Sequence, residues 1–277
     1  VEHKIIHGHY FGIAPVYFKC AHMKQRITIG HSHTDRVHIK SLKDFMKFFL
    51  VKKVEYLSDY CFACSKDAGE WLFPHKEFKV INNAIDSDNF RFSEEARKKI
   101  RAEFGIKDEL VICHIGRFFH PKNHDGMLDI FNEIHKKNDN TKILLVGDGE
   151  LRESIEEKVN RLGLESAVIF TGVRSDISDI LSASDVFLLP SFYEGLPVVA
   201  IEAQAAGLKC FLSDAITTEV DITDRCTFLP IDNPQLWAAK ILDADLTKTD
   251  TSEQIKTAGY DIHTTAEWLQ NFYLKIA

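Results

Sequence analysis

The sequence predicts an α/β protein: a short βα series first, then a longer one that folds as a parallel, doubly wound sheet. Two observations predict this. Short apolar, β-branched runs alternate with stretches of helical period, which is the pattern of βα units. The residues with unusual chemistry fall directly after those runs, where open parallel sheets bind ligands. The 277 residues are enough for two domains.

In order, Lys4–His9 is a short apolar run and Gly12–His22 has a helical pattern. Arg26–Gly30 is a β-branched strand that stops at His31-Ser32-His33. Residues 39–57 place Ile39, Leu42, Phe45 and Phe49 on one face of a long helix. Tyr60–Cys64 reads as a strand, and Ser65 caps a helix carrying Trp71 and Phe73. Phe78–Ile81 is a strand ending at Asn82-Asn83. Residues 86–108 are charged, helical in part, and read as an interdomain connection. From there the strands are Leu110–Ile115, Lys142–Val146, Val168–Thr171, Val186–Leu189, Lys209–Leu212 and Thr227–Leu229, with helices between most of them. Ile262–Ile276 is a final amphipathic helix. The domain boundaries that follow are 1–88, 89–261 and a tail, 262–277, returning to the first domain. The chain opens at Val1 inside a strand-like run, so it is expected to be a piece of a longer protein whose first domain is incomplete here.

Apolar content of 45% and charged content of 27% are ordinary for a globular chain and exclude a disordered or coiled-coil reading. The net charge of −7 argues against a nucleic-acid partner. Residues 1–90 are mildly basic, with 13 Lys and Arg against 10 Asp and Glu. That excess suits either an anionic acceptor or membrane surface, or simply a solvated face. Lys43, Lys47, Lys52 and Lys53 beside Phe45, Phe48 and Phe49 leave the same alternatives open: a peripheral membrane contact, or a core helix with solvated lysines. Of the six cysteines only Cys61 and Cys64 form a CxxC, and no second ligand pair accompanies them. Cys113 and Cys210 sit in apolar runs like buried free thiols. A reducing, cytosolic compartment is the expectation. No apolar run reaches the roughly 18 residues of a membrane span, and no secretory leader is legible.

Four loops carry chemistry. Gly116-Arg117-Phe118-Phe119-His120-Pro121-Lys122-Asn123 puts two cations at a strand end, before a helix starting near Asn123. A helix N-terminus plus two cations suits a diphosphate. Gly147-Asp148-Gly149 is a tight turn that lacks phosphate-loop spacing but lies on the same sheet edge. Thr171-Gly172-Val173-Arg174 is either a plain turn or a loop that meets a base. The most informative stretch is Pro190-Ser191-Phe192-Tyr193-Glu194-Gly195-Leu196-Pro197, running on to Glu202. Gly195 permits close backbone approach, and Pro197 fits the first position of a helix. Glu202 lies on an apolar helix face beside Ala203, Ala205 and Ala206, where a carboxylate needs partners. Either ligand hydroxyls or a salt bridge could supply them.

The order GR…KN, LLVGDGE, FTG and PSFYEGLPVVAIEAQAAG, with the E-x7-E spacing of Glu194 and Glu202, resembles the C-terminal domain of the retaining glycosyltransferases of family 4. The likeness is strongest to the enzymes of capsular polysaccharide and exopolysaccharide synthesis, and GHSHTD, CFACSKDAGEWLF and VINNAID resemble segments of them too. The resemblance implies the GT-B fold of two Rossmann-like domains. It implies a nucleoside-diphosphate sugar donor, a UDP-sugar in particular. It implies a glycan or lipid-linked acceptor, no metal or other cofactor, and transfer with retention. Arg117 and Lys122 would bind the donor diphosphate, and Glu202 the ribose. Glu194, with the backbone of Gly195, Leu196 and Pro197, would hold the transferred sugar and phosphates. Gly116 and Gly147 would line the donor site, with Gly172 and Arg174 near the base. In the first domain His31, or else His33, would touch the donor sugar. A sugar-nucleotide epimerase of related architecture and a non-catalytic nucleotide-sugar-binding remnant are the competing readings.

Overall fold

The computed structural model describes residues 3–9, 13–33 and 42–277. Gly12 and Ile39 lie outside them. The chain forms two compact units, residues 1–84 with 259–277 and residues 85–258.

In the first unit, β1 (Ile5–Gly8), β2 (Ile27–Ser32), β3 (Tyr60–Ala63) and β4 (Lys79–Val80) lie in that order, all parallel. Between them run α1 (Ala14–Met23), α2 (Leu42–Leu57) and α3 (Lys66–Leu72). Ser65 accepts from Ala68 N and so caps α3, whereas Phe73 stands just past its last turn rather than in it. Phe18, Val51, Val54, Leu72 and Phe73 make one core. On α2, Val51, Val54 and Glu55 are buried, while Phe45 and Phe49 are exposed. Their aromatic stripe is therefore not the core face of this helix. Ile29, Phe62 and Ile81 form a second cluster, covered by Trp268, Leu269 and Phe272. Those three belong to the last helix of the chain, Ile262–Ile276, which Asp261 caps through Thr264 N.

The second unit opens with α4 (Glu94–Glu103), capped by Ser93. Then come β5 (Leu110–Ile115), α5 (His124–Lys137), β6 (Thr141–Val146), α6 (Arg152–Leu162), β7 (Val168–Gly172) and α7 (Ile177–Ala183). They are followed by β8 (Val186–Leu189), α8 (Val198–Ala205), β9 (Lys209–Ser213) and β10 (Cys226–Leu229). Helices α9 (Pro234–Leu242) and α10 (Ser252–Thr257) end the unit, and Ile262–Ile276 is α11. The strand order is β10-β9-β8-β5-β6-β7, all parallel. All four residues of β8 are buried, as expected of a central parallel strand covered on both faces. Phe118, Met127, Phe131, Leu145, Leu188 and Trp237 pack in one core. Connectivity reverses between β5 and β8, so the crevice beyond their carboxyl ends is the place for a ligand.

Asp185 locks α4 to this sheet. Its carboxylate accepts from Arg97 Nη2 and Arg101 Nη2, each at 2.7 Å, and from Val111 N at 2.8 Å. Among the described residues no helix is long and apolar enough to cross a membrane. None of the six cysteines, all among the described residues, is in a disulfide; burial pushes the Cys113 thiol up to about 12.

Candidate functional site

The loops after β5, β6 and β7 are stitched backbone to backbone. Gly116 N donates to Val146 O (2.9 Å), Phe118 N to Asp148 O (2.9 Å) and Gly147 N to Gly172 O (2.9 Å). This stitching explains the Gly147-Asp148-Gly149 turn. Gly147 has φ of +135°, and a Cβ there would lie 2.1 Å from Gly116 O; one on Gly149 would lie 2.4 Å from Phe118 O. The two glycines are needed so that neighbouring backbones can touch.

The loops after β5 and β8 meet at the switch point. Asn123 takes a left-handed conformation (φ 52°) and caps α5 through Gly126 N. Its Nδ2 donates to Pro190 O at 3.0 Å, across the reversal in strand order. Phe192 N donates to Pro121 O at 2.8 Å, and the His120 ring stacks on Phe192 with centroids 4.9 Å apart. In this frame Lys122 Nζ donates to Glu194 Oε1 at 2.7 Å, with the side chains only 13% and 15% exposed. Ser191 Oγ donates to the same oxygen at 2.7 Å. Lys122 and Glu194, 72 residues apart in the sequence, are thus one ion pair. A lysine ammonium has three donors, so this pairing leaves two of them for another anion.

Arg117 is exposed; its Nη2 donates to Glu150 Oε2 at 2.9 Å. Exposed pairs of this kind hold little energy, so Arg117 exchanges partners readily. Pro197 is the N-cap of α8 (φ −75°, ψ 99°) rather than its first residue, and Val198 opens the helix. A Cβ on Gly195 would project into open space.

Glu202 sits within α8, half-buried between Ile201 and Ala203, which are fully buried. Among the described residues it has no ion pair, which removes the salt-bridge account of its burial. Desolvation holds its carboxyl above the usual range. Arg174 is heavily engaged instead: it donates to Asp176 (2.9 and 2.7 Å) and to Glu103 (2.7 and 3.2 Å). These hydrogen bonds raise its pKa. Its guanidinium ties the β7 loop to the end of α4, and Val173, next to Gly172 (φ 70°), is exposed in that loop. Behind Lys122 lie His114 and His124, both buried, with ring centroids 4.7 Å apart. His114 Nδ1 meets Leu188 O at 2.9 Å, and burial keeps both rings neutral, His124 down to about 4.

In the first unit, His31 and His33 stand at the end of β2 beside His7 and His9, at the end of β1. His31 and His33 stack at 4.3 Å. His7 Nε2 lies 3.2 Å from His31 Nδ1, and His9 Nδ1 lies 2.8 Å from His33 Nε2. Burial, then repulsion among the four rings, drives His31 down to about 3 and His7 down to about 4. His7 and His9 escape a linear reading. The signal was two H-x-H triplets, each closing a strand and each placing both rings on one face. No metal-ligand spacing is legible along the chain, yet in the fold His7, His9 and His31 present ring nitrogens within 4.8 Å of one another.

The fold is that of the GT-B class of glycosyltransferases. The model of "Glycosyl transferases group 1" matches residues 96–261, and the chain belongs to that family. It is 36% identical to the putative glycosyltransferase EpsF of Bacillus subtilis (strain 168) over 223 residues, 76% of this chain and 58% of that protein. It is 31% identical to the Vi polysaccharide biosynthesis protein VipC/TviE of Salmonella typhi over 171 residues, 60% of this chain and 29% of that protein. The chain therefore spans about half, or less, of these relatives. Among solved structures it is similar to Anabaena Alr3699/HepE in complex with UDP, with a TM-score of 0.82, 20% identity, and coverage of 98% of this chain and 79% of that one.

Proposed function

We propose that the chain is the donor-binding part of a retaining glycosyltransferase that takes a UDP-sugar, without a metal, and glycosylates a glycan or lipid-linked acceptor in capsular or exopolysaccharide synthesis. The observation that carries the reading is Glu202. A half-buried carboxylate with no ion-pair partner is costly to keep in an apolar helix, and ribose hydroxyls would satisfy it. Arg117 and Lys122, at the ends of the β5 loop, would bind the diphosphate. They would also stabilise the charge that grows on it as the sugar leaves. Glu194, fixed by Lys122 and Ser191, would receive sugar hydroxyls, and the first-turn amides of α8, which lack intrahelical acceptors, would face the phosphates alongside Gly195, Leu196 and Pro197. With Arg174 held by Glu103 and Asp176, the base would meet backbone around Gly172. His31, or His33, would contact the sugar. HepE crystallised with UDP, and VipC/TviE is named for polysaccharide biosynthesis; both support the donor and the pathway class. Exposed Phe45, Phe49 and Leu50 on α2 would allow a peripheral membrane contact near a lipid-linked acceptor.

The test separates nucleoside from phosphate. Glu202→Ala is expected to weaken UDP binding and leave pyrophosphate binding nearly unchanged. Equal losses would make Glu202 a structural residue and remove the ribose contact.

A further inference from the structure

We infer that His7, His9 and His31 form a binding site for a divalent first-row transition ion of the zinc kind, at the carboxyl ends of β1 and β2. Three imidazoles offer nitrogen ligands within 4.8 Å of one another, and neutral imidazole suits Zn2+. His7 Nε2 and His31 Nδ1 already stand 3.2 Å apart, close to the edge of about 3.3 Å that two zinc–nitrogen bonds of about 2.0–2.1 Å make in a tetrahedron. Three protein ligands leave a fourth position open to solvent, because His9 is exposed.

A further feature supports it. The outer nitrogens of the other two ligands are held. Tyr273 OH lies 2.5 Å from His7 Nδ1, and His33 Nε2 lies 2.8 Å from His9 Nδ1. With Nδ1–H donating outward in each, both Nε2 lone pairs turn inward, which is how supporting hydrogen bonds orient metal-bound histidines. His33 is itself hydrogen-bonded to Asn83. The parallel pairing of β1 with β2 builds the site by putting the two H-x-H triplets side by side. Where His31 also serves the donor sugar, as the proposed function has it, a bound ion would occupy that side chain and slow transfer.

The test is titration of the full chain with Co2+, followed by visible absorption, with Zn2+ as competitor. The expected result is one equivalent of cobalt with the intense spectrum of a tetrahedral ion, displaced by one equivalent of zinc. His9→Ala, at an exposed position that leaves the core intact, is expected to lower affinity by tenfold or more, and Tyr273→Phe by about tenfold. A weak octahedral spectrum, or a tetrahedral one unchanged in both variants, would overturn the site. Neither readout involves UDP, so failure here leaves the donor reading standing, and a UDP titration of the same samples tests that reading separately.

Discussion

Removing Lys122 tests the centre of the switch point. Lys122→Ala takes away the cation that Glu194 faces at 2.7 Å and leaves a carboxylate only 15% exposed. Breaking a buried pair by deleting one partner costs about 3–5 kcal/mol. Ser191 Oγ still donates to Glu194 Oε1 and both side chains keep some solvent, so about 3 kcal/mol is expected. For a unit of this size that is a fall in Tm of roughly 6–12 °C. Lys122→Ala/Glu194→Gln should recover much of the loss, because the uncompensated charge is gone, and a double-mutant cycle by urea denaturation would measure the coupling. The same substitution should weaken UDP binding, since a hydrogen bond to an ionised phosphate is worth about 1.5–3 kcal/mol. A loss of stability below about 1 kcal/mol, the range of exposed pairs, would refute the reasoning: the pair would not persist in solution.

Arg117→Ala should leave the unfolding free energy within about 0.5 kcal/mol of the parent, as exposed substitutions do, yet weaken UDP binding by roughly 10- to 150-fold in calorimetry. Gly147→Ala forces a Cβ to within 2.1 Å of Gly116 O at φ of +135°. A loss of about 3 kcal/mol by chemical denaturation is expected, and a neutral result would mean that the β5 and β6 loops are not stitched as described. Asp185→Ala strands Arg97 and Arg101, and a loss of about 3–5 kcal/mol is expected from the same assay. Glu202 sets a pH dependence. Its folded pKa is raised by burial, so its ionisation opposes folding as pH rises through that value. Glu202→Gln should therefore raise Tm at neutral pH, and the gain should vanish below the ordinary glutamate range near 4.3. A gain that persists at acid pH would contradict this.

Much of the second unit was legible because most of its strands are apolar runs ended by glycine or proline. Leu110–Ile115 and Val186–Leu189 agree with the strands found. Boundaries slipped where local cues are weak: the Phe78–Ile81 run pairs as a strand only over Lys79–Val80, since β4 is a short edge. Pro197 fell one place outside its helix, because a proline caps or starts a helix with the same φ. Partnerships were the hidden layer. That Lys122 faces Glu194, or that Arg174 is held by Glu103, depends on loops 70 or so residues apart. The histidine cluster was hidden for a related reason, because its two H-x-H triplets meet only once β1 pairs with β2.

The central claim is that this chain holds a nucleotide-sugar donor at the carboxyl ends of β5 and β8 without a metal. Calorimetric titration with UDP, GDP and ADP, with and without magnesium, tests it most directly. The account predicts that UDP binds selectively, with the same affinity in both conditions, and that Arg117→Ala loses most of that binding. No binding by any nucleotide, or binding that requires magnesium, would contradict it.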